Sequence, residues 1–181
     1  RCEKNWVPFV SGGGGGVHVA YALHPRHLVF ALDLASGNGT LVGAEASVNA
    51  TADGEPLSPF FRGGTNAVPW HRHGPHATLL ALGHIKTPGR HLLNGRHDKF
   101  YRSACYTFHA QPPFAMTAVS TPFKLADVGI EFPTVLERVA GGVRVWYGCG
   151  DHSARSVRLT DGSISALLHG RIAPARGDNA S

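Results

Sequence analysis

The chain has 181 residues, 43% of them hydrophobic, enough to bury one sizeable core and too few for two ordinary domains. Its formal net charge of +5 comes from 17 Lys and Arg against 12 Asp and Glu, scattered rather than gathered in a stripe or tail, which argues against nucleic-acid binding. No run of about 18 apolar residues occurs, so no helical membrane span is expected, and 23 Gly with 12 Pro break the chain too often for long helices, which favours an all-β fold.

In chain order, the first expected strands are Trp6 to Val10, Val17 to Tyr21 and His27 to Leu34, a meander broken by the glycines at 12–16 and by His24-Pro25. The glycine run reads as a hairpin loop, because a phosphate-cradling loop would be followed by a helix and here a strand follows. Residues 35–59, rich in Gly, Ala, Ser, Asn and Pro, read as a loop or a weak outer strand. A second group has strands near Asn66 to Trp70, Ala77 to Ile85, Phe100 to Phe108 and Met116 to Val119, with a basic loop from Lys86 to Lys99 inside it. A third has Ile130 to Leu136, Val143 to Cys149 and Ser153 to Leu159. Only Asp161 to Leu168 has helical character, with Thr160 or Asp161 as N-cap ahead of Ile164, Leu167 and Leu168.

Three successive groups of three or four strands have the period of β-propeller blades, and the blades are expected at about 1–48, 60–123 and 128–170, with a flexible tail at 171–181. The start at Arg1-Cys2-Glu3-Lys4, without Met and running almost directly into a strand, reads as the C-terminal part of a longer protein. The three Cys, at 2, 105 and 149, have no metal-type spacing, and Cys105 and Cys149 read as buried free thiols. Sequons at Asn38, Asn49 and Asn179 favour a secretory or extracellular location, with a cytoplasmic one as the alternative.

In a propeller the innermost strands bring their ends to a central funnel, so polar residues at apolar strand ends are the site candidates. Lys4, Asn5 and Trp6 combine an ammonium, an amide and an indole, either a set suited to gripping a sugar or a phosphate or simply a solvated strand start. Arg62 precedes Gly63-Gly64, where the guanidinium offers a two-pronged fork and the glycines would let backbone approach a ligand, unless they form a plain turn. His84 ends the apolar run Leu79 to Gly83, as an anion-facing or a structural histidine. Tyr147-Gly148-Cys149-Gly150-Asp151 places a carboxylate in space cleared by two glycines, fit to accept two sugar hydroxyls or to cap a turn. The histidines at 71, 73 and 76 lack an acidic partner, and no metal site is expected there.

In order and spacing, Glu3-Lys4-Asn5-Trp6-Val7-Pro8-Phe9, Arg62-Gly63-Gly64-Thr65, Leu82-Gly83-His84, Phe132-Pro133 and Tyr147 to Asp151 resemble the five-bladed propeller glycosidases related to β-mannoside phosphorylases, glycoside hydrolase family 130. The resemblance covers nearly the whole chain as the last three blades. It implies an inverting attack on a β-mannosidic bond by phosphate, or by water in some members. Lys4, Arg62 and His84 would face the phosphate, and Asp151, Asn5, Trp6 and Tyr147 the sugar. No cofactor is implied; inorganic phosphate is the expected co-substrate. The catalytic acid would come from earlier blades of the same chain. Glu131 is the one carboxylate in the later blades available to activate water for hydrolysis. A non-catalytic carbohydrate-binding module, or an accessory propeller of a glycosyltransferase, is the alternative.

Overall fold

A computed structural model of the chain describes residues 5–11, 15–71, 77–87, 100–126, 130–150 and 152–170. Among the described residues there are twelve strands, all paired antiparallel, and one helix. The fold is all-β. No described helix is long and apolar enough to cross a membrane.

The first sheet runs in sequence order through β1 (Val7–Val10), β2 (Val17–Ala22), β3 (Arg26–Leu32) and β4 (Gly39–Ala46). The last of these lies in the stretch expected as a loop or weak outer strand. It forms because its backbone completes the ladder on β3, with Phe30 opposite Leu41 and Leu28 opposite Ala44, although its side chains are mostly exposed and carry little apolar alternation.

The second sheet is built on two ten-residue strands, β7 (Thr78–Thr87) and β8 (Phe100–His109), with β9 (Met116–Val119) on the far side of β8. The near edge of β7 is shared by two short strands, β5 (Phe61–Gly63) and β6 (Val68–His71). Both faces of this sheet are covered. Leu79 and Ala81 pack toward the first sheet with Val7, Phe9, Val29, Tyr106 and Phe108, whereas Leu80 and Leu82 pack with Cys105, Leu136, Val143 and Val145 toward the third. That is why Leu79 to Leu82 is an unbroken apolar run rather than an alternating one. Each fully buried Leu or Phe here contributes about 1.5–3 kcal/mol.

The third sheet consists of β10 (Glu131–Val139), β11 (Gly142–Cys149) and β12 (Ser153–Thr160). Helix α1 (Asp161–Leu168) follows at once, capped by the Thr160 side chain, which accepts from the Ser163 N–H at 3.1 Å. It buries Ile164 and Leu167 in the core between the second and third sheets. Arg138 on β10 holds its first residue, Asp161, through two hydrogen bonds of 2.7 and 3.0 Å. Cys105 and Cys149 are buried free thiols.

Candidate functional site

The three sheets meet at Gly63-Gly64. A Cβ on Gly63 would collide with the Asn5 carbonyl and the Val7 side chain of the first sheet. One on Gly64 would lie 2.9 Å from both the ring and the carbonyl of Pro133 on β10, and 3.0 Å from the Leu82 carbonyl. The glycines therefore serve the close approach of three strands, where the sequence suggests a turn or room for a ligand. This also explains β5, a strand that a Gly-Gly pair conceals.

Around this junction the chain gathers several of the expected site residues. Asn5 takes a left-handed backbone conformation, φ 69°, just before β1, which presses its carbonyl against Gly63. Asparagine tolerates that region better than most residues. Arg62 on β5 lies directly opposite His84 on β7, and His84 in turn lies opposite Ser103 on β8. The exposed Arg62 guanidinium donates to the carbonyls of Pro59 and Phe61, both at 2.9 Å, through a single nitrogen, Nη1. Its remaining N–H groups keep a charged fork at the seam.

His84 is only 4% exposed. Its ring centre lies 4.5 Å from that of Phe132 on β10 and 5.5 Å from that of Tyr101 on β8. Residues from the second and third sheets thus enclose the imidazole. Of these, Tyr101 carried no signal in the sequence beyond membership of an apolar strand, while Phe132 belongs to the Phe-Pro pair.

Glu131 is fully buried. One carboxylate oxygen accepts from the backbone N–H groups of Leu125 and, at 3.3 Å, Ala126, and the other lies 3.5 Å from the Lys124 ammonium. Burial pushes its pKa up, opposed by the two N–H groups and by Lys124. Both oxygens being held inside, the geometry makes Glu131 an organiser of the 124–126 segment. Lys124, not among the expected site residues, is partly exposed and stands over the Phe100 ring at 5.8 Å. A single Lys in a Pro-Phe segment gave no pattern by which to find it.

Tyr147 is 5% exposed and packs in the core between the second and third sheets. Burial raises its phenol pKa. Trp6 is 47% exposed and faces away from the junction, toward a cavity of about 370 Å³ lined with Tyr21, Phe30 and Leu32. Arg62 and His84 thus stand opposite each other with Phe132 against the imidazole, the Asn5 carbonyl presses on Gly63, Tyr147 lies opposite Pro133, and Trp6 lines a cavity of its own. Lys4 and Asp151 lie outside the described residues, as do the histidines at 73 and 76 and most of the basic loop. Among the described residues no three His, Cys, Asp or Glu side chains group as metal ligands.

Neither a family model nor a curated protein sequence matches this chain. A solved structure, that of a mannose phosphorylase from Leishmania mexicana in complex with phosphate ion, is similar in fold, with a TM-score of 0.50 and 13% sequence identity. The similarity covers 99% of this chain and 57% of that one, so the chain spans a little over half the length of the protein it matches.

Proposed function

We propose that this chain is part of a carbohydrate-active β-propeller of the β-mannoside phosphorylase type, with its ligand site at the Gly63-Gly64 junction. The observation that carries the reading is the arrangement at Gly63-Gly64, where Arg62 stands opposite His84, the His84 ring meets Phe132 at 4.5 Å, and the Asn5 carbonyl presses on Gly63. The likeness in fold to a mannose phosphorylase supports it. In this reading the three sheets are consecutive blades, and β1, β5 and β10 are the innermost strands at the funnel.

Phosphate as nucleophile needs no general base, and the junction offers cations in preference to free carboxylates. Arg62, His84 and Lys4 hold the phosphate; Asn5 and Asp151 hold sugar hydroxyls. Hydrolysis would need a carboxylate to activate water, and Glu131 is fully buried, one oxygen held by two backbone N–H groups and the other facing the Lys124 ammonium at 3.5 Å. The same fact favours a second reading, a propeller that binds saccharides without cleaving them.

Titration of β-mannobiose into the full-length protein, earlier blades included, with and without inorganic phosphate, together with an assay for mannose 1-phosphate, separates these readings. Binding with phosphate-dependent product supports the phosphorylase. Binding without product supports the binding module. Absence of both binding and product overturns the carbohydrate reading.

A further inference from the structure

The turn between β8 and β9 meets the first sheet through the Pro113 carbonyl, which lies against Gly43 of β4, and through the plugged side chain of Phe114. Its ring is fully buried, 5.4 Å from Phe9 on β1 and 5.1 Å from His18 on β2. Its carbonyl lies 2.8 Å from Nδ1 of His27 on β3. A carbonyl only accepts, so Nδ1 carries the proton and Nε2 is left with its lone pair. Nε2 is buried and has no hydrogen-bond partner among the described residues, and the ring is packed edge-on against Tyr106 and Phe108. A proton arriving at Nε2 would put a charge and a new donor into this apolar cage.

We propose that His27 is an acid-released catch: neutral, it fastens the first sheet, which brings Asn5 to the junction, onto the second sheet, which carries Arg62 and His84; protonated, it lets go. The groups facing the ring do not offset the charge. Tyr106 on β8 is a buried neutral phenol whose pKa is itself raised by burial. His18 on β2 has its Nδ1 at 2.9 Å from the Gly16 carbonyl. Glu45, opposite His27 on β4, is exposed and makes no ion pair or hydrogen bond with it, and the turn 110–115 contains no titratable side chain.

Burial lowers the His27 pKa to about 4, against the hydrogen bond from its ring to Phe114, which raises it. The released or unfolded form, with an ordinary histidine pKa, binds the proton from about pH 6.5 downward, and the closed form only near pH 4. The opening equilibrium therefore rises about tenfold per pH unit across that window and levels off below it.

The test is amide hydrogen exchange at pH 7 and pH 5, corrected for intrinsic rates, on the wild-type chain and on His27→Gln. Gln can still donate to Phe114 but does not titrate in this range. In the wild type, β1–β4 and the Phe114 amide should lose protection at pH 5 by one to two orders of magnitude, while β10–β12 keep theirs. In His27→Gln that acid-induced loss should vanish. Equal loss in the first and third sheets, no loss in the wild type, or an unchanged acid response in a folded His27→Gln would each overturn the proposal. The wild-type measurement stands alone if the variant does not fold.

Discussion

The side-chain amide of Asn66 stands in for a strand on the backbone of Leu136. Its Nδ2 donates to the Leu136 carbonyl at 2.9 Å, and its Oδ1 accepts from the Leu136 N–H, also at 2.9 Å. One side chain between β5 and β6 thereby satisfies both polar groups of a β10 residue two positions beyond Thr134, the residue skipped where the β10–β11 register shifts.

Asn66→Ala leaves both Leu136 groups without their partner and should cost about 2–4 kcal/mol. For a chain of this size that is a fall of very roughly 5–15 °C in Tm, read by thermal melting. Asn66→Asp keeps the acceptor and loses the donor, and should be no better than the Ala variant at neutral pH. A melting temperature unchanged in both would show that water replaces the amide and that the two sheets are held by packing alone.

Gly64→Ala sets a methyl 2.9 Å from Pro133 and 3.0 Å from the Leu82 carbonyl, where the neighbours are a ring and two strand backbones with little room to move. The expected loss is about 1–3 kcal/mol, as for other overpacked sites. Gly148→Ala is the control, since nothing lies within 4 Å of a Cβ there. It should melt within about 2 °C of the parent. Equal effects at the two positions would contradict the three-sheet junction.

Glu131 separates charge from hydrogen bonding. Its pKa in the folded protein is raised by burial, so the folded state holds the proton to higher pH than the unfolded chain does. As pH rises through the ordinary carboxylate range toward that raised value, ionisation subtracts from stability. Glu131→Gln keeps an acceptor for the Leu125 and Ala126 N–H groups without the charge, and in urea titrations at pH 7 should match or exceed the wild type. Glu131→Leu removes the acceptor and should cost about 2–4 kcal/mol. Equal losses in both would mean that the ion pair with Lys124 is what holds the segment.

Much of the scaffold was legible from local pattern. Met116–Val119 and Asp161–Leu168 have the limits that their apolar spacing and the Thr160 cap indicate. β3, just before residues 35–59, was equally plain, but β4 within that stretch was not, because its place depends on pairing with β3 rather than on its own side chains. β5 was hidden for a related reason: Gly63-Gly64 reads as a turn until the strands that press on it from other sheets are known. Of the expected site residues, Arg62 and His84 lie opposite each other on β5 and β7, a pairing that the sequence alone does not reveal. The Asn66–Leu136 bridge, between residues 70 positions apart, has no local signature. Tyr147 reads as an aromatic strand end, and its pairing with Pro133 and its burial between the second and third sheets emerge only from the fold.

The central claim is that the junction is an anion-accepting site to which Arg62 contributes. The most direct measurement is a calorimetric titration of inorganic phosphate into the wild-type chain and into Arg62→Gln, an exposed position where the fold should survive. The account predicts binding at one site in the wild type and affinity lower by roughly tenfold or more in the variant, the effect of removing one charge-assisted contact, with Tm unchanged. No phosphate binding by the wild type, or equal affinity in the two proteins, would contradict it.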